Sequence, residues 1–391
     1  MSAGQPKVLV LDGMWNKSLA AVRSLGRRGF DVTAGERTYL AATLFSRYCS
    51  RRIIYPSPSD RPEEFLECLE RELATGDYDV VIPMEWNTQV LLTDPANRHR
   101  LERYTKIPFV DADLAGYVND KAQLMRFAKT QGIEIPETYF VEGMEELKEI
   151  AENLDYPAVI KPRISSGSRG LVYVRNKREL LQLYPVIHER YPFPIIQDCL
   201  QVEGDCFGVG VLLNSRSQPR ASFVYRRIRS YPVSGGPSTL RESVKTDDIR
   251  DIAVSLFESI RWSGVAHAEF KIDPRDGKPK LLEINPRFWG SLALAIEAGI
   301  DFPFLLFKMA MDGDVEPAMD YQAGVKCRWL IPGDMLHFVH NPERLRLKPS
   351  FFDFHTKDDI MSRQDPLPAL GRVLSVFTLL FDKEMRGLIK R

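Results

Sequence analysis

Cysteine is scarce. Five residues, Cys49, Cys68, Cys199, Cys206 and Cys327, are scattered among 391, with no Cys-x-x-Cys pair. A sparse, odd set in a chain of this length reads as reduced thiols in a cytoplasmic protein and excludes a disulfide framework. Six histidines without His-Glu-x-x-His spacing argue equally against zinc. Net charge is also lacking: 53 Lys and Arg balance 53 Asp and Glu. A broad electrostatic grip on nucleic acid or an anionic membrane is therefore not expected. Long apolar runs are missing too, since the longest, Val373–Phe381, is too short to span a bilayer. The polar start, Met1–Lys7, has no charged-then-apolar leader pattern. What remains is ordinary globular composition, 44% hydrophobic and 27% charged. At roughly 150 residues per domain, the length suggests two to three domains of a soluble intracellular protein.

The chain opens on a short apolar strand, Lys7–Asp12, followed by a loop with Gly13, a helical pattern through Leu19, Val22 and Leu25, and a second strand, Phe30–Ala34. This order predicts a doubly wound α/β unit. The loop has neither the Gly-x-Gly-x-x-Gly nor the Gly-x-x-x-x-Gly-Lys pattern, so dinucleotide and P-loop readings are weak. An amphipathic stretch, Glu63–Leu73, leads to a third strand, Asp79–Pro83, with Glu85, Trp86 and Asn87 at its carboxyl end, where open α/β sheets place ligands. A boundary falls near 110–120, where Asp120 and Lys121 open a helix that Gly132 stops. Elements then alternate irregularly to about residue 315, with antiparallel hairpins. From Tyr321 onward little period is visible.

The stretch His267–Arg287 carries the most chemistry. Two strands flank a turn formed by Pro274, Asp276 and Gly277. A hairpin symmetric about Asp276 sets Glu269 opposite Glu283, a like-charge pair that is unfavourable unless something offsets it. A divalent cation is the simplest candidate. Asn285 follows Glu283 by two residues and shares its face, giving a hard-oxygen set suited to Mg²⁺. The alternative is a solvated hairpin with no role. Upstream, Pro157–Pro162 is an apolar strand with Lys161 near its end, which must snorkel or meet an anion. The small-residue run Ser165–Gly170 follows, either a plain turn or a flap whose backbone N–H groups cover phosphates. Arg226, Arg227 and Arg229 precede Ser234-Gly235-Gly236 and Arg241, a basic and glycine-containing cluster able to hold a carboxylate or phosphate, or simply a solvated strand.

Taken in order, Lys121, Lys161 with its Gly/Ser flap, the run Gln197–Leu200, and Glu269…Glu283-x-Asn285-x-Arg287 resemble the ATP-grasp superfamily over roughly residues 5–315. The resemblance is to its carboxylate–amine ligase and carbamoyl-phosphate-synthase-like members. It implies a doubly wound α/β domain (1–115), a small subdomain with the phosphate flap (116–200), a larger subdomain with the metal site (201–320), and a C-terminal extension (321–391). By the same resemblance Lys121, Lys161, Ser166, Gly167, Ser168 and Gly170 contact ATP phosphates. Gln197, Asp198, Cys199 and Leu200 hold adenine, mostly through backbone groups, and Glu203 or Asp205 reaches the ribose. Glu269, Glu283 and Asn285 hold Mg²⁺, with Mn²⁺ a substitute, while Lys161 and Arg287 are catalytic. Arg226, Arg229, Gly235, Gly236 and Arg241 are expected to line the acceptor pocket.

The implied reaction joins a carboxylate to an amine through an acyl phosphate. Carboxylation, carbamoyl transfer and a non-catalytic ATP-binding role are the alternatives. No nucleic-acid partner is expected, and the C-terminal tail is expected to pack within the protein or form a homodimer contact.

Overall fold

The computed structural model describes residues 4–165, 169–200, 204–233, 235–353 and 355–381, with side chains of the last helix described to residue 376. The first sheet is parallel: β1 (Lys7–Val10), β2 (Asp31–Glu36), β3 (Arg51–Ile54) and β4 (Val80–Ile82), in the order β3-β2-β1-β4. Its helix Asn16–Arg27 buries Leu19, Val22 and Leu25 completely, as the spacing predicts. The helix Pro62–Gly76 starts with a proline and two glutamates in its first turn, both favourable there, and buries Phe65, Leu66, Leu69 and Leu73. Strand β3 escapes a sequence reading because it is a four-residue edge strand that opens on two exposed arginines.

The second sheet holds β5 (Thr138–Phe140), β6 (Ala158–Lys161), β7 (Val172–Val174) and β8 (Ile195–Asp198) in the order β5-β8-β6-β7, all antiparallel. The third contains β9 (Cys206–Leu213), β10 (Pro219–Ser230), β11 (Ser238–Ser243), β12 (Gly264–Ile272), β13 (Pro279–Asn285), β14 (Lys326–Arg328) and β15 (Lys357–Asp358) in the order β13-β12-β9-β10-β11-β14-β15.

Both faces of this large sheet are covered. Val209, Val211 and Leu213 of β9 point into a core with Leu124, Met125, Leu256 and Trp262. The intervening Leu212 points the other way, into a core continuous with the first domain. Gly208 and Gly210 share that second face. A Cβ on Gly208 would stand 2.3 Å from the Tyr225 ring, and one on Gly210 would stand 2.2 Å from Trp289, so the absent side chains make room for rings.

The helix Lys121–Thr130 packs on the large sheet, and its lysine reaches both that sheet and the loop that follows β6. The region after residue 320 is no appendage, because β14 and β15 extend the large sheet beside β11. Asp365 accepts from Arg23 at 2.8 Å and from Ser46 at 2.7 Å, both in the first domain. The final helix, Leu367–Phe381, lies against Ala42–Phe45 so closely that a Cβ on Gly371 would meet Phe45 at 2.6 Å. Among the described residues no helix is long and apolar enough to cross a membrane.

Candidate functional site

The edge hairpin β12–β13 sets Glu269 directly opposite Glu283 and His267 opposite Asn285. A one-residue bulge after Glu269 makes this register, since Phe270 already faces Leu281. Asn285 donates to Glu283 at 3.1 Å. Lys121 Nζ lies 3.3 Å from Glu283 and donates to the Ser165 carbonyl at 3.2 Å, so the helix of one subdomain meets the flap and the hairpin at one point.

Asp120 caps that helix by accepting from Ala122 N–H at 2.9 Å, and it receives the Arg163 Nε at 3.0 Å. The Lys121 N–H bonds the Arg163 carbonyl at 2.9 Å. These contacts tie the Lys121 helix to the segment just beyond Lys161. Burial and the nearby Lys121 ammonium lower Lys161 to about 8. Two lysines whose charges act on each other and on Glu283 favour a polyanionic ligand.

The carboxylates divide their charge unequally. Burial raises Glu269; Arg227 opposes this and Glu283 adds to it. Burial also pushes Glu283 upward, but Lys121 and Asn285 outweigh it and hold it low. Arg227 pairs with Glu269, yet its Nε and the His267 Nδ1 have no hydrogen-bond partner among the described residues. His267 lies stacked between Tyr225 and Trp289, with burial and Arg227 lowering it to about 3, so it stays neutral.

Among the described residues no cluster of three or more His, Cys, Asp or Glu could hold a metal ion. Two opposed, half-buried carboxylates with an adjoining amide do fit Mg²⁺, which usually takes one or two carboxylates and completes its shell with water and phosphate.

The remaining predicted residues fall into three groups. Asp198 ends β8, and Cys199 and Leu200 follow it; the N–H groups of Asp198 and Cys199 bond the Glu137 and Pro157 carbonyls, and Lys271 Nζ donates to the Leu200 carbonyl at 3.2 Å. Gly170 has φ +74° and leans on Pro162. Gly235 and Gly236 form a tight loop in which a Cβ on Gly236 would strike the Tyr231 carbonyl at 2.4 Å, and Arg226 sits between Glu242 at 3.2 Å and Asp205 at 3.5 Å. Ser166, Gly167, Ser168 and Glu203 lie outside the described residues.

Three expectations need correction. The Gln197 side chain is fully buried and its Nε2 donates to Thr138 at 2.8 Å, while the residue pairs with both β5 and β6, so it is closed off inside the sheet, with only its buried Oε1 lacking a partner among the described residues. Arg229 is locked on Asp334 at 2.7 Å, and Arg241 on Asp359, each pair almost fully buried. Both arginines hold the C-terminal region to the large sheet and do not face an acceptor. Arg227 and Lys271 were missed as site residues. Strict alternation puts Arg227 and Arg229 on one face, but a bulge between them sets Arg229 opposite Leu240 and leaves Arg227 on the face of Glu269.

Two family models match in chain order. The model described as carbamoyl-phosphate synthase L chain, ATP binding domain, matches residues 120–190, and the one described as ATP-grasp in the biosynthetic pathway with Ter operon matches residues 215–331. The fold is also that of the N5-carboxyaminoimidazole synthetase of Staphylococcus aureus, with a TM-score of 0.63, 17% identity, and coverage of 83% of this chain and 82% of that one. The chain has the ATP-grasp fold.

Other solved structures match over similar spans. The biotin carboxylase of Campylobacter jejuni in its β-γ-ATP complex gives a TM-score of 0.66 at 15% identity, covering 82% of this chain and 74% of that one. The L-amino acid ligase of Bacillus licheniformis gives 0.59 at 16%, covering 81% and 76%. In sequence, the C-terminal section of the carbamoyl phosphate synthase large chain of Methanopyrus kandleri is 24% identical over 237 residues, 58% of this chain and 42% of that protein. The chain thus spans less than half the length of that curated relative.

Proposed function

We propose that this ATP-grasp protein is an ATP-dependent ligase that joins a carboxylate to an amine and releases ADP and phosphate. The observation that carries the reading is the meeting of Lys121 and Lys161 with the Glu269–Glu283 pair at one point between the two subdomains. A substrate carboxylate oxygen attacks the γ-phosphorus of ATP; the bond to the ADP oxygen breaks and an acyl phosphate forms. The amine nitrogen then attacks the acyl carbon, phosphate leaves, and the nitrogen gives up its proton.

Phosphoryl transfer needs position and charge neutralisation more than covalent help. Lys121 and Lys161 hold the phosphates, with Ser166, Gly167, Ser168 and Gly170 as further phosphate contacts. Asp198, Cys199 and Leu200 bound the adenine, and Glu203 or Asp205 meets the ribose. Glu269, Glu283 and Asn285 would hold Mg²⁺, or Mn²⁺ in its place, which supplies further neutralisation of the polyphosphate. Arg287 steadies the transferring phosphoryl group. Arg226, Gly235 and Gly236 border the acceptor.

The activities for which the relatives and neighbours are named support ATP chemistry of this type, and the scattered cysteines support a cytoplasmic setting. Because the biotin carboxylase domain of the Hydrogenobacter thermophilus 2-oxoglutarate carboxylase, solved with MgADP and bicarbonate, has the same fold, bicarbonate is the second substrate class. The test is ADP release with ATP and Mg²⁺ across carboxylates, amines and bicarbonate, beside Glu283→Gln. Turnover that needs a carboxylate and an amine and vanishes in the variant is the expected result. Turnover with bicarbonate alone would move the protein to carboxylation or carbamoyl transfer. ATP binding without turnover on any pair would favour the regulatory reading, and absence of ATP binding would overturn the proposal.

A further inference from the structure

The first domain supplies none of the lysine and carboxylate groups just described, yet two of its buried side chains reach the loop that carries Arg287. Gln89, fully buried on the helix Trp86–Thr93, donates its Nε2 to the Pro286 carbonyl at 2.7 Å. Lys17, on the helix Asn16–Arg27 and 3% exposed, donates its Nζ to the Phe288 carbonyl at 3.2 Å. The two acceptors flank Arg287. The Arg287 N–H closes back on the Asn285 carbonyl at 2.8 Å, and its Nη1 donates at 3.1 Å to the same Phe288 carbonyl that Lys17 holds.

Lys17 is itself gripped by Glu85 at 2.5 Å. Burial pushes the Glu85 carboxyl up, but Lys17 and Arg287 together hold it below the usual carboxylate range, so Glu85 stands within electrostatic reach of the guanidinium. Burial and Arg287 pull Lys17 down to about 8 against Glu85 and Asp12, with the Trp15 ring 6.0 Å away.

Apolar contact alone would dock the domain, and Phe109 against Phe288 at 6.3 Å is such a contact. Two buried donors spent on the carbonyls either side of one side chain fix that side chain's backbone, and leaving the Pro286 carbonyl buried without Gln89 would be costly. We infer that Gln89, Lys17 and Glu85 are positioning residues for Arg287, through which the first domain sets the aim of the phosphoryl-transfer arginine. This rests on the ligase reading above for what Arg287 does, though not for where it points.

The test uses the full chain with two readouts. The first is the Arg287 Nε–Hε resonance, identified by its loss in Arg287→Lys. Gln89→Met is expected to shift or broaden it, and Lys17→Arg to move it less than Lys17→Met. The second is ADP release, where Gln89→Met and Lys17→Met should lower kcat by about 10–100-fold with the KM for ATP within about twofold. In an Arg287→Lys background the further loss should disappear, because a shared role is non-additive. A folded Gln89→Met protein whose Arg287 resonance does not move overturns the inference, whatever its turnover. If Gln89→Met does not fold, Gln89→Asn and Lys17→Met carry the same test. A resonance that moves in a protein forming no ADP on any substrate would overturn the ligase reading and leave the positioning role standing.

Discussion

The carboxyl end of the first sheet and the β12–β13 hairpin each hold two carboxylates, buried in the first and half-buried in the second, and they satisfy them in opposite ways. Asp12 receives the N–H groups of Met84 at 2.9 Å and Glu85 at 2.8 Å and the Thr88 hydroxyl at 2.7 Å; Glu36 receives the N–H groups of Met14 and Arg37 at 2.8 Å each. Those charges are spent on holding loops. Glu269 and Glu283 face each other and are met by Arg227, Lys121 and Asn285, with polar atoms of Arg227 and His267 left over. Backbone donors cannot leave, whereas side-chain cations can turn to an incoming anion. The first arrangement is architecture and the second is suited to exchange of partners.

Substitutions should separate the two. The largest effect belongs to the hairpin: Glu269→Gln is expected to cut ADP formation by about 10³-fold, roughly 4 kcal/mol of transition-state stabilisation. It should lower folding stability by less than about 1 kcal/mol, since it also relieves a like-charge pair. Steady-state kinetics beside a denaturant titration checks both halves. A large stability loss would place Glu269 with the architecture.

Next come the interdomain ion pairs. Asp365→Asn leaves Arg23 buried without its carboxylate and should cost about 3–5 kcal/mol in the same titration.

Third is Glu36, which burial and the nearby Asp12 raise to about 7 from an ordinary 4.5. A carboxyl raised on folding contributes stability that is full below the unfolded value and is lost as pH rises through the folded one. Thermal stability should therefore decline between about pH 4.5 and 7, by up to about 3 kcal/mol. Melting curves across that window should flatten in Glu36→Gln. A decline that persists unchanged would mean other groups carry it.

The smallest effect marks the floor. Arg61 and Glu64 form an exposed i,i+3 pair at 3.2 Å, and Arg61→Ala should shift stability by no more than about 0.5 kcal/mol.

Much of this was legible in the residues. Period and turn chemistry carried the first β-α-β unit, the Asp120-capped helix and the opposed glutamates, because each is a local pattern. The bulges were not legible. One at Glu269 produces the expected register from a hairpin of slightly different centre, and one after Arg227 parts two arginines that alternation would keep together. The C-terminal region was opaque because its strands are only three and two residues long, too short for any period to register. The arginines read as acceptor ligands failed for a related reason: Asp334 and Asp359 lie 105 and 118 residues beyond Arg229 and Arg241, outside the reach of any spacing rule. Gln89 and Lys17 carried no motif, since each acts on a backbone carbonyl of a distant loop.

The pairing of Arg23 with Asp365 also orders events in time. During synthesis the first domain's strands and helices can form as soon as they emerge, but this buried guanidinium waits across 342 residues for its carboxylate and for the carbonyls of Asp359 and Ile360. Arg372 closes on Met14 across a still longer span, 358 residues. The first unit therefore gains these contacts only after residue 372 has left the ribosome, and the loops that complete it close over 342 and 358 residues.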